Sequence, residues 1–279
     1  MNKKIKRVVI IGSDSFIASS VIPLLKKKNI NTLLINRKVC DLLEEDSSKI
    51  LSRKIKNDDI IIFAAANAPV KNYNMFLDNI KICKNIINSL HNKYVRMVYI
   101  SSDAVYSDKK TFIDENSKTD PDSLHGLMHI TREKLLSTIK FKSLTIIRPT
   151  LVYGSNDPHN GYGPNKFMRL AALNKNIELY GYGEELRDHI FINDLGKIIF
   201  NCIIKNKAGV FNAVSGRVIS FKTIAQNIIK YKKSNSKIIY IKRVSPMPHN
   251  GYRAFNNQKI KKDLNITFKS FKEIIKNQF

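Results

Sequence analysis

Three groups of residues in this chain have types and spacings that could do chemistry. The first is Gly12-Ser13-Asp14-Ser15-Phe16-Ile17-Ala18, a glycine-led polar turn after the apolar run Val8-Val9-Ile10-Ile11. Between a strand and a helix, glycines spaced in this way let the backbone approach a pyrophosphate lying on the helix N-terminus. Of a G-x-x-G-x-x-G pattern only Gly12 is present; Ser15 and Ala18 take the other two places, and both are small enough to keep the approach open. The same residues also read as a capped helix start, with Ser13, Asp14 or Ser15 as the N-cap. The second group is Asn36-Arg37-Lys38, after the apolar run Thr32 to Ile35. An acid there would hold a ribose 2′-hydroxyl, whereas a basic pair suits a 2′-phosphate. NADP is therefore favoured over NAD, unless Arg37 and Lys38 are simply two surface cations. The third is His125 and His129, four residues apart on one helix face, a spacing that can hold a metal. The further ligands such a site needs would have to come from the distant His159, His189 or His249, so no metal is expected.

These groups need elements to position them. Short apolar runs at 8–11, 32–35, 60–63, 95–100 and 144–147 alternate with helical patterns near 16–25, 75–90 and 124–139. Strands of four to six residues alternating with longer helices imply βαβ crossovers and an α/β fold with a parallel sheet covered on both faces. Past residue 150 the rhythm loosens, with helical stretches near 166–173 and 194–204 and short strands near 177–180, 210–211 and 238–241 between glycines and prolines. The expected organisation is a dinucleotide-binding unit over 1–150 and a small, partly interleaved substrate lobe over 151–279. Length permits this, because 279 residues bury a full core.

Forty-eight Lys and Arg against 23 Asp and Glu give a formal net charge of +25. The basic blocks are short and scattered, not gathered into one arm with interleaved aromatics, so nucleic acid is not expected as the main partner. A positive field should instead favour phosphate-bearing ligands. Three widely spaced cysteines, Cys40, Cys83 and Cys202, cannot make a disulfide framework, and a reduced cytoplasmic compartment is the default. The basic start Met1–Arg7 followed by Val8-Val9-Ile10-Ile11 has the outline of a signal peptide, but the polar turn ends the apolar run after four residues. No stretch has the length of a membrane span.

Several segments, in one order, resemble the extended short-chain dehydrogenase/reductases, the group of nucleotide-sugar epimerases, dehydratases and reductases. Asp58 to Phe63 running into Ala64-Ala65-Ala66 is similar to the strand whose alanines line the cofactor. Asn79 falls at the family's helix asparagine, and Val98 to Tyr106, with Ser101-Ser102 at its centre, resembles the active-site strand. Arg148-Pro149-Thr150-Leu151-Val152-Tyr153-Gly154 matches R-P-x-x-V-Y-G. Gly181 to Asp188 matches G-x-G-x-x-x-R-D, and Asn212 to Gly216 resembles the N-x-x-S-G turn.

The resemblance implies a Rossmann-type doubly wound sheet that binds NADP or NAD and a nucleotide-sugar substrate. By it, Gly12, Ser15, Phe16, Ile17, Arg37, Ala64, Ala65, Ala66 and Pro149 serve the cofactor, and Asp41 and Leu42 fall at the adenine pocket. Ser102 takes the position that hydrogen-bonds the reacting oxygen. Arg187 fits the contact to a nucleotide diphosphate, with Arg253 as a second clamp; guanidinium forks suit phosphate oxygens. An ion pair of Arg187 with Asp188 or Glu184 is the competing reading. The resemblance also implies a homodimer, paired as the family commonly is through two helices that match those near 75–90 and 124–139.

The catalytic pair departs from the family. Tyr-x-x-x-Lys is expected one helix after the serine, where Lys lowers the Tyr pKa and Tyr exchanges a proton with the substrate. Aligned on that helix, His125 occupies the Tyr position and His129 the Lys position. Either His125 moves the proton, with an ordinary pKa of about 6.5, and His129 holds the nicotinamide ribose, or the protein binds dinucleotide without catalysis, as a sensor or partner subunit. Leu151 also stands where the family often has Asn, which removes one hydrogen bond to the substrate.

Overall fold

A computed structural model describes residues 5–109 and 112–278. Met1 to Lys4, the start of the basic leader-like run, lie outside the described residues. The first half alternates strand and helix: β1 (Val8–Ile11), α1 (Phe16–Lys27), β2 (Thr32–Ile35), α2 (Ser47–Lys54), β3 (Ile60–Phe63), α3 (Tyr73–Ser89) and β4 (Arg96–Ile100). The short β5 (Phe112–Ile113), α4 (Leu124–Ser137) and β6 (Ser143–Pro149) complete it. Next come β7 (Leu151–Tyr153), α5 (Pro164–Ala172), β8 (Ile177–Tyr180), β9 (Leu186–Phe191), α6 (Ile192–Ile204) and β10 (Gly209–Ala213). The last elements are β11 (Val218–Ser220), α7 (Phe221–Lys232), β12 (Ile238–Ile241), β13 (Tyr252–Phe255), α8 (Gln258–Leu264) and α9 (Phe271–Gln278).

Six strands form one parallel sheet in the order β10-β6-β4-β3-β1-β2. The chain leaves β1 toward β2 on one side and returns to β3 on the other, which is the reversal of a Rossmann-type, doubly wound sheet. Alternation of side chains along each strand supplies both faces. Val8, Ile10, Ile60 and Ile62 pack under α1 and α6, through Val21, Leu25, Leu195 and Ile198. Val9, Ile11, Ile61 and Phe63 pack under α2, α3 and α4, through Leu51, Cys83, Ile86 and Leu136. β1 and β3 are therefore buried at every position, and this is why they read as unbroken apolar runs.

The chain beyond residue 150 re-enters this unit: β10 is the sheet's edge strand beside β6, and α6 packs on α1. Around it a smaller lobe has its own core, in which Phe167, Leu179, Phe221, Ile224 and Ile275 meet. β9 ties the two together by pairing with β7, β11 and β13. α1 runs as one helix through Pro23.

Candidate active site

The turn after β1 is tight because it has to be. Gly12 has φ +87°, and a Cβ there would lie 2.6 Å from the backbone nitrogen of Ala65. Only glycine meets both conditions, so the turn sits directly on the chain leaving β3. Ser15 then caps α1, its hydroxyl accepting the N–H of Ala18 at 3.2 Å. That leaves first-turn N–H groups of α1 without helical acceptors, at the positive end of the helix dipole. Phe16 and Ile17, in this first turn, line a cavity of about 870 Å3 at the carboxyl ends of the sheet strands.

Ser102 enters the same cavity from the end of β4. Its hydroxyl accepts the N–H of Ala104 at 3.1 Å, capping one 3-10 turn over Asp103–Val105. Behind it runs a buried polar chain. Ser101 donates to Glu133 at 2.6 Å, and Arg148 pairs with both oxygens of Glu133, at 2.9 and 2.5 Å. Arg148 also donates to the Tyr106 hydroxyl at 2.8 Å, which donates to Asn212 at 2.7 Å. A buried ion pair of this kind is worth little as net stability, but it fixes the parts it joins. Here those parts are the ends of β4, β6 and β10 and the middle of α4.

α4 starts at a Ser123 cap, and His125 lies in its first turn. A Cβ on Gly126 would stand 2.0 Å from the carbonyl oxygen of Ala104, so this glycine lets α4 press against the turn that carries Ser102. His125 and His129 meet edge to face with ring centroids 4.7 Å apart, and both line the cavity. The N–H of Val70 donates to Nδ1 of His125 at 3.4 Å. A backbone N–H can only donate, so the hydrogen of the neutral ring is on Nε2. Nδ1 of His129 lies 2.8 Å from the hydroxyl of the fully buried Tyr99. Burial and the charge of Arg132 push the pKa of His125 down; burial, His125 and Arg132 push that of His129 well down. Both rings are neutral at physiological pH.

The far wall comes from the lobe. Arg187 on β9 is buried and ion-paired with Glu185, at 2.7 Å through Nε. Its Nη2 also reaches the carbonyl of Pro248 at 3.0 Å, and its Nη1 has no partner among the described residues. The partner is thus Glu185, not Asp188 or Glu184. Asp188 instead accepts the N–H groups of Ser215, Gly216 and Arg217 at 2.7 to 3.0 Å, and burial pushes its pKa up to about 6. Arg253 is engaged at every nitrogen: with the Asp103 carboxylate at 3.3 Å, and with the carbonyls of Asp103, Ser107 and Tyr106 at 2.8 to 3.3 Å. Leu151 is half-exposed on the cavity wall.

One cavity thus gathers Ser15, Phe16, Ile17, Ala64, Ala66, Ser102, His125, His129, Pro149, Arg187 and Arg253. Gly12 and Ala65 lie just behind it, packed on each other. Arg37 and Asp41 lie off it and pair with one another at 3.8 Å, with Arg37 exposed, while Leu42 is buried in the core with Leu51 and Ile82. The motif reading gave no role to Gly126, Tyr99 or Glu133. Only Gly126 carries a sequence signal, an isolated glycine in the first turn of a helical pattern, which usually marks a close approach.

The model of the NAD dependent epimerase/dehydratase family matches residues 8–213. A protein of Bacillus subtilis (strain 168) described as an uncharacterized UDP-glucose epimerase, YtcB, is 26% identical over 205 residues, which are 70% of this chain and 64% of that protein. The fold matches the UDP-glucose 4-epimerase of Thermus thermophilus with TM-score 0.82 at 17% identity, over 97% of this chain and 96% of that one. It matches the UDP-N-acetylglucosamine 4-epimerase of Bacillus cereus with TM-score 0.78 at 18% identity, over 98% and 97%. With its sheet, its glycine turn and its segment-by-segment agreement covered by that one model, the chain belongs to the NAD dependent epimerase/dehydratase family.

Proposed function

We propose that this protein moves hydride between a nicotinamide dinucleotide and a sugar carbon of a nucleotide-activated sugar. The observation that carries the reading is the convergence of Ser102 and His125 on the same cavity as the N-terminus of α1. The relatives, UDP-sugar epimerases among them and one Thermus enzyme solved with NAD, point the same way.

The residues fit a dinucleotide. The first turn of α1 offers free N–H groups to a pyrophosphate, Gly12 removes the bulk that would push the turn away, and Ala64, Ala66 and Pro149 give a small apolar floor. Asn36 and Arg37 at the end of β2 leave that position without an acid, which favours the 2′-phosphate of NADP. A bound nicotinamide would donate or accept the hydride. Ser102 and the Nε2–H of His125 would hold the reacting oxygen, and a neutral imidazole in that tautomer is a hydrogen-bond donor. It stabilises charge growing on a carbonyl oxygen, so the arrangement favours reduction of a keto sugar, in which the carbonyl carbon takes the hydride and the resulting alkoxide takes its proton from water. Arg187, through its free Nη1, is the phosphate contact, while Arg253 braces the Ser102 turn through Asp103 and Tyr106.

A second reading, dinucleotide binding without turnover, draws on the same neutral rings, since neither is poised as a base. The test is turnover of 4-keto nucleotide sugars with NADPH by the wild type and by His125→Phe. Wild-type turnover lost in the variant supports the proposal; no turnover despite tight coenzyme binding supports the second reading; undiminished turnover in the variant removes His125 from the chemistry.

A further inference from the structure

Arg132 is the largest side chain buried without exposure in the molecule's described part, and no carboxylate pairs with it among the described residues. Its Nε and Nη2 donate to the carbonyl of Asn79 at 2.9 and 2.7 Å, Nη2 also donates to Asn79 Oδ1 at 2.8 Å, and Nη1 donates to the carbonyl of Ala65 at 3.0 Å. Its planar group also lies over the Phe63 ring at 4.9 Å. All of these partners are neutral. The adjacent Glu133 is unavailable, being paired with Arg148. A buried charge held only by dipoles is costly, and costly buried charges collect at functional sites.

Its place on α4 suggests the use. Arg132 follows His129 by three residues and His125 by seven, so all three share one face of the helix. We propose that Arg132 is the positioning residue that sets a fixed positive charge behind the histidine pair, from one turn beyond the expected lysine position, and that with burial it keeps the two histidines as neutral Nε2–H donors facing the ligand. The inference rests on the proposed function for its purpose, though not for its test. The Tyr99 hydroxyl lies 2.8 Å from Nδ1 of His129, and a phenol that donates there leaves the hydrogen of the neutral ring on Nε2. Tyr99 then does for His129 what the N–H of Val70 does for His125. In addition, the Arg132 bond to Ala65 holds the chain after β3 against the Gly12 turn.

Among the described residues, no other charge opposes it from the packed elements. Across from α4, Cys83 on α3 has its thiol pushed up to about 11 by burial and is uncharged. Asp103, on the turn packed against the start of α4, is paired with Arg253. Tyr99 on β4 is pushed up by burial and keeps its proton. Arg132 and the rings' own mutual repulsion are the charges acting on the pair.

The test is nitrogen NMR of the histidine rings in the full chain, titrated from pH 8 to pH 5. In the wild type both rings should titrate below the ordinary histidine range, His129 further down than His125, with the hydrogen of the neutral rings on Nε2. Arg132→Gln should raise the apparent pKa of at least one ring by about one unit, and Arg132→Lys should restore the wild-type curve. If Arg132→Gln does not fold, Asn79→Asp sets a carboxylate against the intact guanidinium and should give the same upward shift. Titrations unchanged in the folded charge-altering variant, or a Lys variant no better than Gln, overturn the proposal. The readout contains no turnover, so failure of the hydride-transfer reading would leave this result standing, and the reverse.

Discussion

Among the described residues the Ser102 hydroxyl bonds to the N–H of Ala104, within one short turn, so removing that hydroxyl separates function from folding more cleanly than most changes here. Ser102→Ala should cost under about 1 kcal/mol of stability and lower kcat about 100-fold or more. A turnover assay paired with thermal melts checks this, and equal activity would remove Ser102 from the site. Arg187 and Arg253 should part company likewise. Arg187→Ala should mainly raise KM for a diphosphate sugar, because its free Nη1 points to a ligand contact. Arg253→Ala strips Asp103 of its counter-charge and should lower Tm before it alters KM. Buried acids and bases give a third test. Burial pulls His189 down to about 4, so the unfolded chain takes up a proton near pH 6.5 that the folded chain refuses until about 4. The neutral ring's contribution is complete above 6.5 and lost as pH falls, on the order of 3 kcal/mol. Asp188, held up to about 6, works the other way, keeping in the folded state a proton the unfolded chain releases above about 4. His189→Asn removes one of these opposed effects. The Tm of the variant relative to wild type should then rise as pH falls from 6.5 to 4, and parallel curves would contradict the assignment.

At the scale of elements, the site depends on how closely α4 meets the end of β4. Gly126→Ala puts a methyl group 2.0 Å from the Ala104 carbonyl, so either α4 or the Ser102 turn must move. Turnover should fall even where the melt shows a folded protein. Glu133→Gln leaves Arg148 buried without its counter-charge and should cost about 3–5 kcal/mol, measurable by denaturant unfolding. These elements differed in how far they could be read. β1, β3 and β4 announced themselves because burial on both faces demands unbroken apolar runs, and α4 did through its helical pattern. α2 and α7 did not, since their half-buried faces leave mixed patterns, and β9 and β13 did not because polar residues stand at their buried positions. β9 reads Leu-Arg-Asp-His-Ile-Phe, and its polar residues are buried by partners that lie far away in the chain.

For the whole molecule, a net charge of +25 contrasts with the cavity itself. Its lining holds the carboxylates of Asp14, Asp103, Asp108, Asp157, Glu185 and Asp188 against the guanidiniums of Arg187 and Arg253. The overall field can speed an anionic ligand's approach, but recognition has to come from single donors such as Arg187 and the N-terminus of α1. Raising salt should therefore slow coenzyme association more than dissociation. Arg37, exposed and only loosely paired with Asp41, is free to turn to a 2′-phosphate. Arg37→Ser should weaken NADPH about tenfold and leave NADH unchanged in fluorescence titrations; equal weakening of both would remove the NADP preference.

By itself the sequence determined the parallel sheet, the glycine turn and the family, because apolar periodicity and short ordered motifs are local properties of a chain. It also showed that His125 and His129 stand where another pair was expected. Only the tertiary structure decided what those histidines are. Val70 donates to Nδ1 of His125, the Tyr99 hydroxyl lies against Nδ1 of His129, and burial together with the charge of Arg132 disfavours the protonated rings. Likewise the fold, not the motif, turned Arg253 inward and left one nitrogen of Arg187 buried without a partner among the described residues. Protonation and hydrogen-bond capacity depend on neighbours brought from 30 to 150 positions away, and no local spacing records them.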